Sequence, residues 1–148
     1  MNETRFTAKL KEHLLRTYPG ILWQKHSDRF TTGIADVECV FKGRTIWLEI
    51  KVKAGLSAVV NLVGMGQGKI RPLQLEFLSA RAARGIGAYG VWHTPYGVSL
   101  WTPARLQFDI GTELLKTTSV PLKDMIIPDF EHRSQDLDAL HSTLESKQ

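Results

Sequence analysis

Disulfide chemistry is closed to this chain. Its 148 residues hold a single cysteine, Cys39, so no internal bridge can form and packing alone must hold the fold, as suits a reducing compartment. Long hydrophobic runs are missing too: no stretch approaches the roughly 20 apolar residues of a membrane span. The N-terminus is charged and helix-like, without an apolar signal segment. Together these gaps predict a cytoplasmic, intracellular protein with no membrane partner. No repeat and no low-complexity tract is present. The five histidines show no metal-ligand spacing, and no Ser/His/Asp arrangement can be assigned. Nucleotide loops fail as well. The run from Gly64 to Lys69 would need glycine at Val63 and Ser or Thr at Ile70 to cradle phosphates, and glycine at Lys69 to read as a dinucleotide fingerprint.

What is present is a core and a lopsided charge. At 43% hydrophobic residues the chain can build one ordinary domain. Through Arg105 there are 15 Lys/Arg against 7 Asp/Glu, and from Leu106 onward 4 against 8. The net charge of +4 therefore hides a basic body and an acidic end. A basic surface favours a polyanion, because neutralising phosphates releases counterions. The predicted division is a core over 1–105 and a C-terminal extension over 106–148 that packs on the core or at a subunit interface.

The pattern of elements reads α, three strands, α, two strands. Asn2 to Tyr18 is helical, with Phe6, Leu10 and Leu14 at helical spacing, Asn2 as N-cap and Pro19-Gly20 as the stop. Ile21–His26, Ala35–Phe41 and Thr45–Lys53 read as strands. A loop over 54–70 precedes a helix that starts at Pro72 and ends near Gly85. Ile86–His93 and Val98–Trp101 follow as strands, and Pro103–Leu106 as a short helix. Ser134–Glu145 can form an amphipathic helix. The expected class is α/β (α+β), a sheet flanked by helices.

One strand carries most of the chemistry. Side chains alternate along Thr45–Lys53, so Ile46, Leu48, Ile50 and Val52 share an apolar face, and Trp47, Glu49, Lys51 and Lys53 the other. Lys42-Gly43 offers a two-residue hairpin turn, which pairs Phe41 with Arg44 and sets Asp36 directly across from Glu49. The same register aligns Val37 with Leu48 and Cys39 with Ile46, so the apolar faces agree. Two carboxylates facing each other across a ladder repel. They need a cation, a proton or separation by twist; a divalent metal is the productive answer, since Mg²⁺ takes one or two carboxylates plus water and substrate phosphate. The alternatives are a turn or edge acid at Asp36 and a solvated Glu49–Lys51 pair. Lys53 continues the polar face, as a DNA contact or a solvated lysine. Lys69 and Arg71 sit where a loop beside the site would touch phosphates, or on a plain connector.

Asp36, then Glu49-Ile50-Lys51, on two strands after an N-terminal helix, resembles the PD-(D/E)XK nuclease superfamily. The approach Gly33-Ile34-Ala35-Asp36 and Gln74 on the next helix resemble its VRR-NUC branch, which includes small stand-alone phage-type nucleases. Ala35 stands where the name-giving proline would be. The likeness implies a restriction-endonuclease-like αβββαβ core with a mixed central sheet. It implies that Asp36, Glu49 and the Ile50 carbonyl hold Mg²⁺ or Mn²⁺. Lys51 then orients the attacking water or stabilises phosphate charge, and Gln74 positions the lysine, the water or the phosphate. Glu12 matches the family's additional acid on the first helix. The expected activity is a metal-dependent endonuclease hydrolysing DNA phosphodiesters in structured or junction-like DNA, in replication, repair or recombination, with a homodimer as one arrangement and a phage or bacterial setting. Two other readings stand beside it: a non-catalytic DNA-binding or assembly module on the same fold, and an RNA-directed nuclease.

Overall fold

A computed structural model of the chain describes residues 1–26, 33–55 and 59–131. The expected helix over Ser134–Glu145 lies outside them, as do residues 27–32 of the turn before the second strand.

Helix α1 (Glu3–Thr17) begins where the sequence signals it: the Asn2 side chain accepts the Arg5 N–H at 2.8 Å. Asn2 thereby satisfies one of the donors that a helix start leaves open. Phe6, Leu10 and Leu14 form its buried stripe. Strands β1 (Leu22–Lys25), β2 (Val37–Phe41) and β3 (Arg44–Val52) then form an antiparallel meander. Lys42 and Gly43 both take positive φ, 50° and 75°, as a primed two-residue hairpin turn requires. The turn fixes the register: Phe41 pairs with Arg44 and Val37 with Leu48. One residue further on, Asp36 and Glu49 face each other just past the end of the ladder.

The chain next forms β4 (Val59–Val60) and helix α2 (Pro72–Ala82), which crosses over to β5 (Gly87–Thr94). Strand β5 runs parallel to β3, and β6 (Gly97–Trp101) returns antiparallel to it. The sheet order β1-β2-β3-β5-β6 is thus mixed, with β3 at its centre. The expected αβββαβ order and mixed sheet are what the structure contains. Helix α3 (Pro103–Leu106), β7 (Ile110–Gly111), α4 (Thr112–Thr118) and a 3-10 turn (Leu122–Asp124) complete the described elements. No helix of the described residues is long and apolar enough to cross a membrane.

Both faces of the sheet are covered. Against α1 lie Val37, Cys39, Ile46, Leu48 and Ile50, joined by Met125, Ile127 and Phe130. Burial lifts the Cys39 thiol to about 12, which leaves it inert. On the α2 side, Leu62, Ile70, Leu78, Trp92, Trp101, Leu106, Ile110 and Leu115 form a second core. Residues beyond 105 thus contribute to both layers, and β7 pairs with β4. The segment over 54–70 is not a bare loop, because β4 and a bridge between Val63 and Ile70 structure it. Ala35 departs from the simple alternation. It packs into the α2-side core, away from Val37, because the chain bends at Asp36 and the pleat begins only at Val37.

Candidate metal centre

The second core has a direct effect on β3. Its polar face is roofed by α2, so Glu49 is only 1% exposed. Three donors converge on its carboxylate. The Asp36 N–H donates to Oε2 at 3.0 Å, the Gln74 side-chain amide to Oε1 at 2.7 Å, and the Lys51 ammonium lies 3.2 Å from the same Oε1. Asp36 is held in a reciprocal way, its carboxylate accepting the Ile50 N–H at 2.9 Å. The two acids therefore meet where β2 parts from β3.

Gln74 is oriented by its own helix. Its carbonyl oxygen accepts the Arg71 N–H at the start of α2 at 3.0 Å, which turns its NH₂ toward Glu49. The contacts of Gln74 are thus to Glu49 and the α2 terminus, and its effect on Lys51 passes through Glu49.

Burial pushes Glu49 up to about 8, and the neighbouring Asp36 charge adds to the rise; Lys51 and the donated hydrogen bonds oppose it without cancelling it. A buried carboxylate beside a second carboxylate is a charge looking for a cation. The donor set suits a hard one: two carboxylates and, one residue on, the Ile50 carbonyl. Among the described residues no group of three or more His, Cys, Asp or Glu gathers to hold a metal. Any cation here would keep several waters, as Mg²⁺ does.

The remaining expected residues are placed differently. Glu12 does not join the site. It is 66% exposed, pairs with Arg16 at 3.3 Å, and lines a groove with Lys9, His13 and Lys123. The acid of α1 that senses the site is Glu3. Its carboxyl is raised first by burial and then by Asp36, and is drawn down by Lys51 and Lys25. Nine residues separate Glu3 from Glu12, which is half a turn around the helix and about 13 Å along it. The signal for Glu3 was in the sequence: though exposed, it lies three residues before Phe6, on the side of α1 that the Phe6–Leu10–Leu14 stripe occupies, whereas Glu12 lies off that side. Lys53 lines a cleft of about 440 Å³ with Glu3, Val52, Gln67 and Gly68. Lys69 lays its stem against Gly64 and Gly66, and Arg71 precedes α2.

No family model matches the sequence, and no curated protein matches it. Among solved structures, the chain is similar to Hjc, a Holliday junction resolvase of the archaeal hyperthermophile Archaeoglobus fulgidus. The TM-score is 0.57 at 16% identity, over 78% of this chain and 93% of that one. At this identity the likeness is one of fold, and the fold is restriction-endonuclease-like.

Proposed function

We propose that this protein is a divalent-metal-dependent endonuclease that hydrolyses DNA phosphodiesters, of the VRR-NUC type, with structured or junction-like DNA as its substrate. One observation carries the reading: Asp36 and Glu49 are drawn together at the end of a hairpin, with the Lys51 ammonium on the shared face. The junction specificity named for the archaeal neighbour supports the substrate class, and the basic body of the chain supports a polyanion. A homodimer, each subunit cutting one strand, fits such a substrate.

Asp36, Glu49 and the Ile50 carbonyl would hold Mg²⁺ or Mn²⁺. When bound, the cation lowers the pKa of water and offsets developing phosphoryl charge. The chain's own groups do the rest. Gln74 fixes Glu49 against the start of α2. Lys51, 13% exposed along its side chain, sets its ammonium between Glu49 and the open side, where it stabilises negative charge on a phosphate oxygen and orients an attacking water. Glu3 adds a third negative charge at the mouth. Lys53, Lys69 and Arg71 would contact flanking phosphates.

The test is cleavage of a four-way junction, a linear duplex and RNA of matching shape, with Mg²⁺ or Mn²⁺, by wild type, Lys51→Ala and Asp36→Asn. Metal-stimulated cutting of the junction, lost in both variants, is the expected result. Full activity in both variants removes these roles, and binding without cutting across the panel favours a non-catalytic module.

A further inference from the structure

The turn from Gly64 to Lys69 takes no part in the chemistry of Asp36, Glu49 and Lys51, yet it is built into the rim of that site. Its ends are tied together. The Gly64 N–H bonds to the Ile70 carbonyl at 2.9 Å, the Ile70 N–H to the Leu62 carbonyl at 2.8 Å, and the Lys69 N–H to the Gly66 carbonyl at 3.2 Å. Its flank is tied to the sheet. The Trp92 indole N–H donates to the Gly68 carbonyl at 2.8 Å, and the Trp92 ring lies across Gly90, the β5 residue beside Glu49. Gly68 rests so closely on β3 that a Cβ there would come within 2.6 Å of the Val52 carbonyl oxygen. The turn therefore has a fixed stance one residue beyond Lys51.

At its tip stands Met65, 81% exposed, the most exposed large hydrophobic side chain of the described residues. Glycines flank it on both sides, and the Lys69 stem runs within 3.4 Å of where either would carry a Cβ. The Lys69 ammonium makes no hydrogen bond or ion pair among the described residues. A single exposed apolar residue is ordinary on a surface. An apolar tip on a turn seated against β3 one residue past Lys51, with a cation alongside that is unpaired among the described residues, is suited to meet something with an apolar stack and a phosphate.

We propose that Met65 is a wedge that inserts into the base stack of DNA at a branch or unpaired step, while Lys69 takes the adjoining phosphate. This rests on the DNA-nuclease reading and narrows its substrate to DNA whose stacking is already interrupted. Apolar side chains entering base steps unstack and kink the duplex. The energetic demand is least where pairing is already broken. The unbranched, polarizable methionine side chain adapts to any base step, so the preference is for shape over sequence.

The experiment uses a four-way junction and a linear duplex, each carrying 2-aminopurine at the same step, which lies at the branch in the junction. The full chain binds them in EDTA. Wild type raises 2-aminopurine fluorescence in the junction and leaves the duplex signal near its free value. Met65→Ala abolishes the rise and weakens junction affinity roughly tenfold, the scale of one inserted apolar side chain, with duplex affinity unchanged. Met65→Leu restores both. Equal fluorescence and affinity for wild type and Met65→Ala, in a protein that binds and cuts junctions, overturns the wedge and leaves the nuclease reading standing. Absence of any DNA binding by wild type overturns both.

Discussion

Asp36 and Glu49 are crossed: the Asp36 main chain donates to the Glu49 carboxylate at 3.0 Å, and the Asp36 carboxylate accepts from the main chain of Ile50, the residue after Glu49, at 2.9 Å. Each acid thus completes the peptide ladder that its neighbour has left. The ladder's last backbone pair is Val37 with Leu48. Beyond it, side-chain oxygens replace carbonyls, and the bend at Asp36 opens a place between the strands. The hairpin turn at Lys42-Gly43 sets this arrangement from a distance, since shifting the register by one residue would move Glu49 to the other face.

The first prediction concerns that pair and its lysine. Lys51→Ala and Asp36→Asn should lower metal-dependent cleavage by at least about 100-fold, the scale of losing one preorganised electrostatic group. Asp36→Asn keeps an oxygen for the Ile50 N–H, so the fold should survive. Cleavage rates paired with circular dichroism melts check this; a rate loss that tracks loss of fold would count against a chemical role.

A second prediction follows from Glu49. Its carboxyl rises from an ordinary value of 4.5 to about 8 in the folded chain. Between those values the folded state binds a proton that the unfolded state has released. The contribution of Glu49 to the stability of the metal-free protein therefore falls as pH rises through that window. Glu49→Gln removes the proton and the slope together. Melting in EDTA at about pH 5 and about pH 8 should show the variant gaining on wild type at the higher pH. Added Mg²⁺ at the higher pH should raise the melting temperature of wild type alone. Parallel pH profiles would reject the assignment.

Much of this was legible in the chain, for reasons that can be named. The strand alternation of Ile46, Leu48 and Ile50 and the Lys42-Gly43 turn are local signals, and together they place two distant acids. The α2-side core was not legible as a layer. Trp47, Glu49, Lys51 and Lys53 read as a polar, open face, because residues that cover it, such as Leu62, Leu106, Ile110 and Leu115, come from segments with weak periodicity. Burial of Glu49 is therefore a tertiary fact. The likeness to the family points to an acid on α1 without fixing its phase, and the phase of the buried stripe puts Glu3, not Glu12, on the side of α1 that faces the sheet.

That difference is itself testable. Glu3→Gln should weaken Mn²⁺ affinity and cleavage by roughly tenfold, as loss of a group just outside a metal's own ligands commonly does. Glu12→Gln removes only a surface pair with Arg16 and should leave both unchanged. Calorimetric Mn²⁺ titration of the two variants separates them; equal effects would remove Glu3 from the site.

Gln74 offers a fourth prediction, on stability and activity together. It is 5% exposed and satisfies both Glu49 and the α2 terminus. Gln74→Ala removes the acceptor of the Arg71 N–H and one of the two donors on Glu49 Oε1, leaving Lys51 there alone, at a cost of about 1–3 kcal/mol. Gln74→Glu keeps an acceptor for Arg71 but sets a third carboxylate against Glu49 and Asp36. It should bind Mn²⁺ with altered affinity while melting below wild type in EDTA. An alanine variant with wild-type stability and rate would show that the α2 terminus does not hold Glu49.

The last prediction isolates backbone strain from close contact. Gly43 and Gly68 have nearly the same φ, +75° and +72°, yet a Cβ on Gly43 meets nothing within 4 Å while one on Gly68 comes within 2.6 Å of the Val52 carbonyl oxygen. Gly43→Ala therefore carries only the left-handed penalty, about 1–2 kcal/mol. Gly68→Ala carries the same penalty and must also lift the turn off β3, which stretches the Trp92 hydrogen bond to the Gly68 carbonyl. Urea unfolding should place Gly68→Ala below Gly43→Ala, and the tryptophan emission of the folded Gly68→Ala protein, to which Trp92 contributes, should differ from wild type. The Gly43→Ala protein should keep the wild-type spectrum, since its change lies at the far end of the β2–β3 hairpin. Equal losses in both variants would mean that the turn is not seated on Val52.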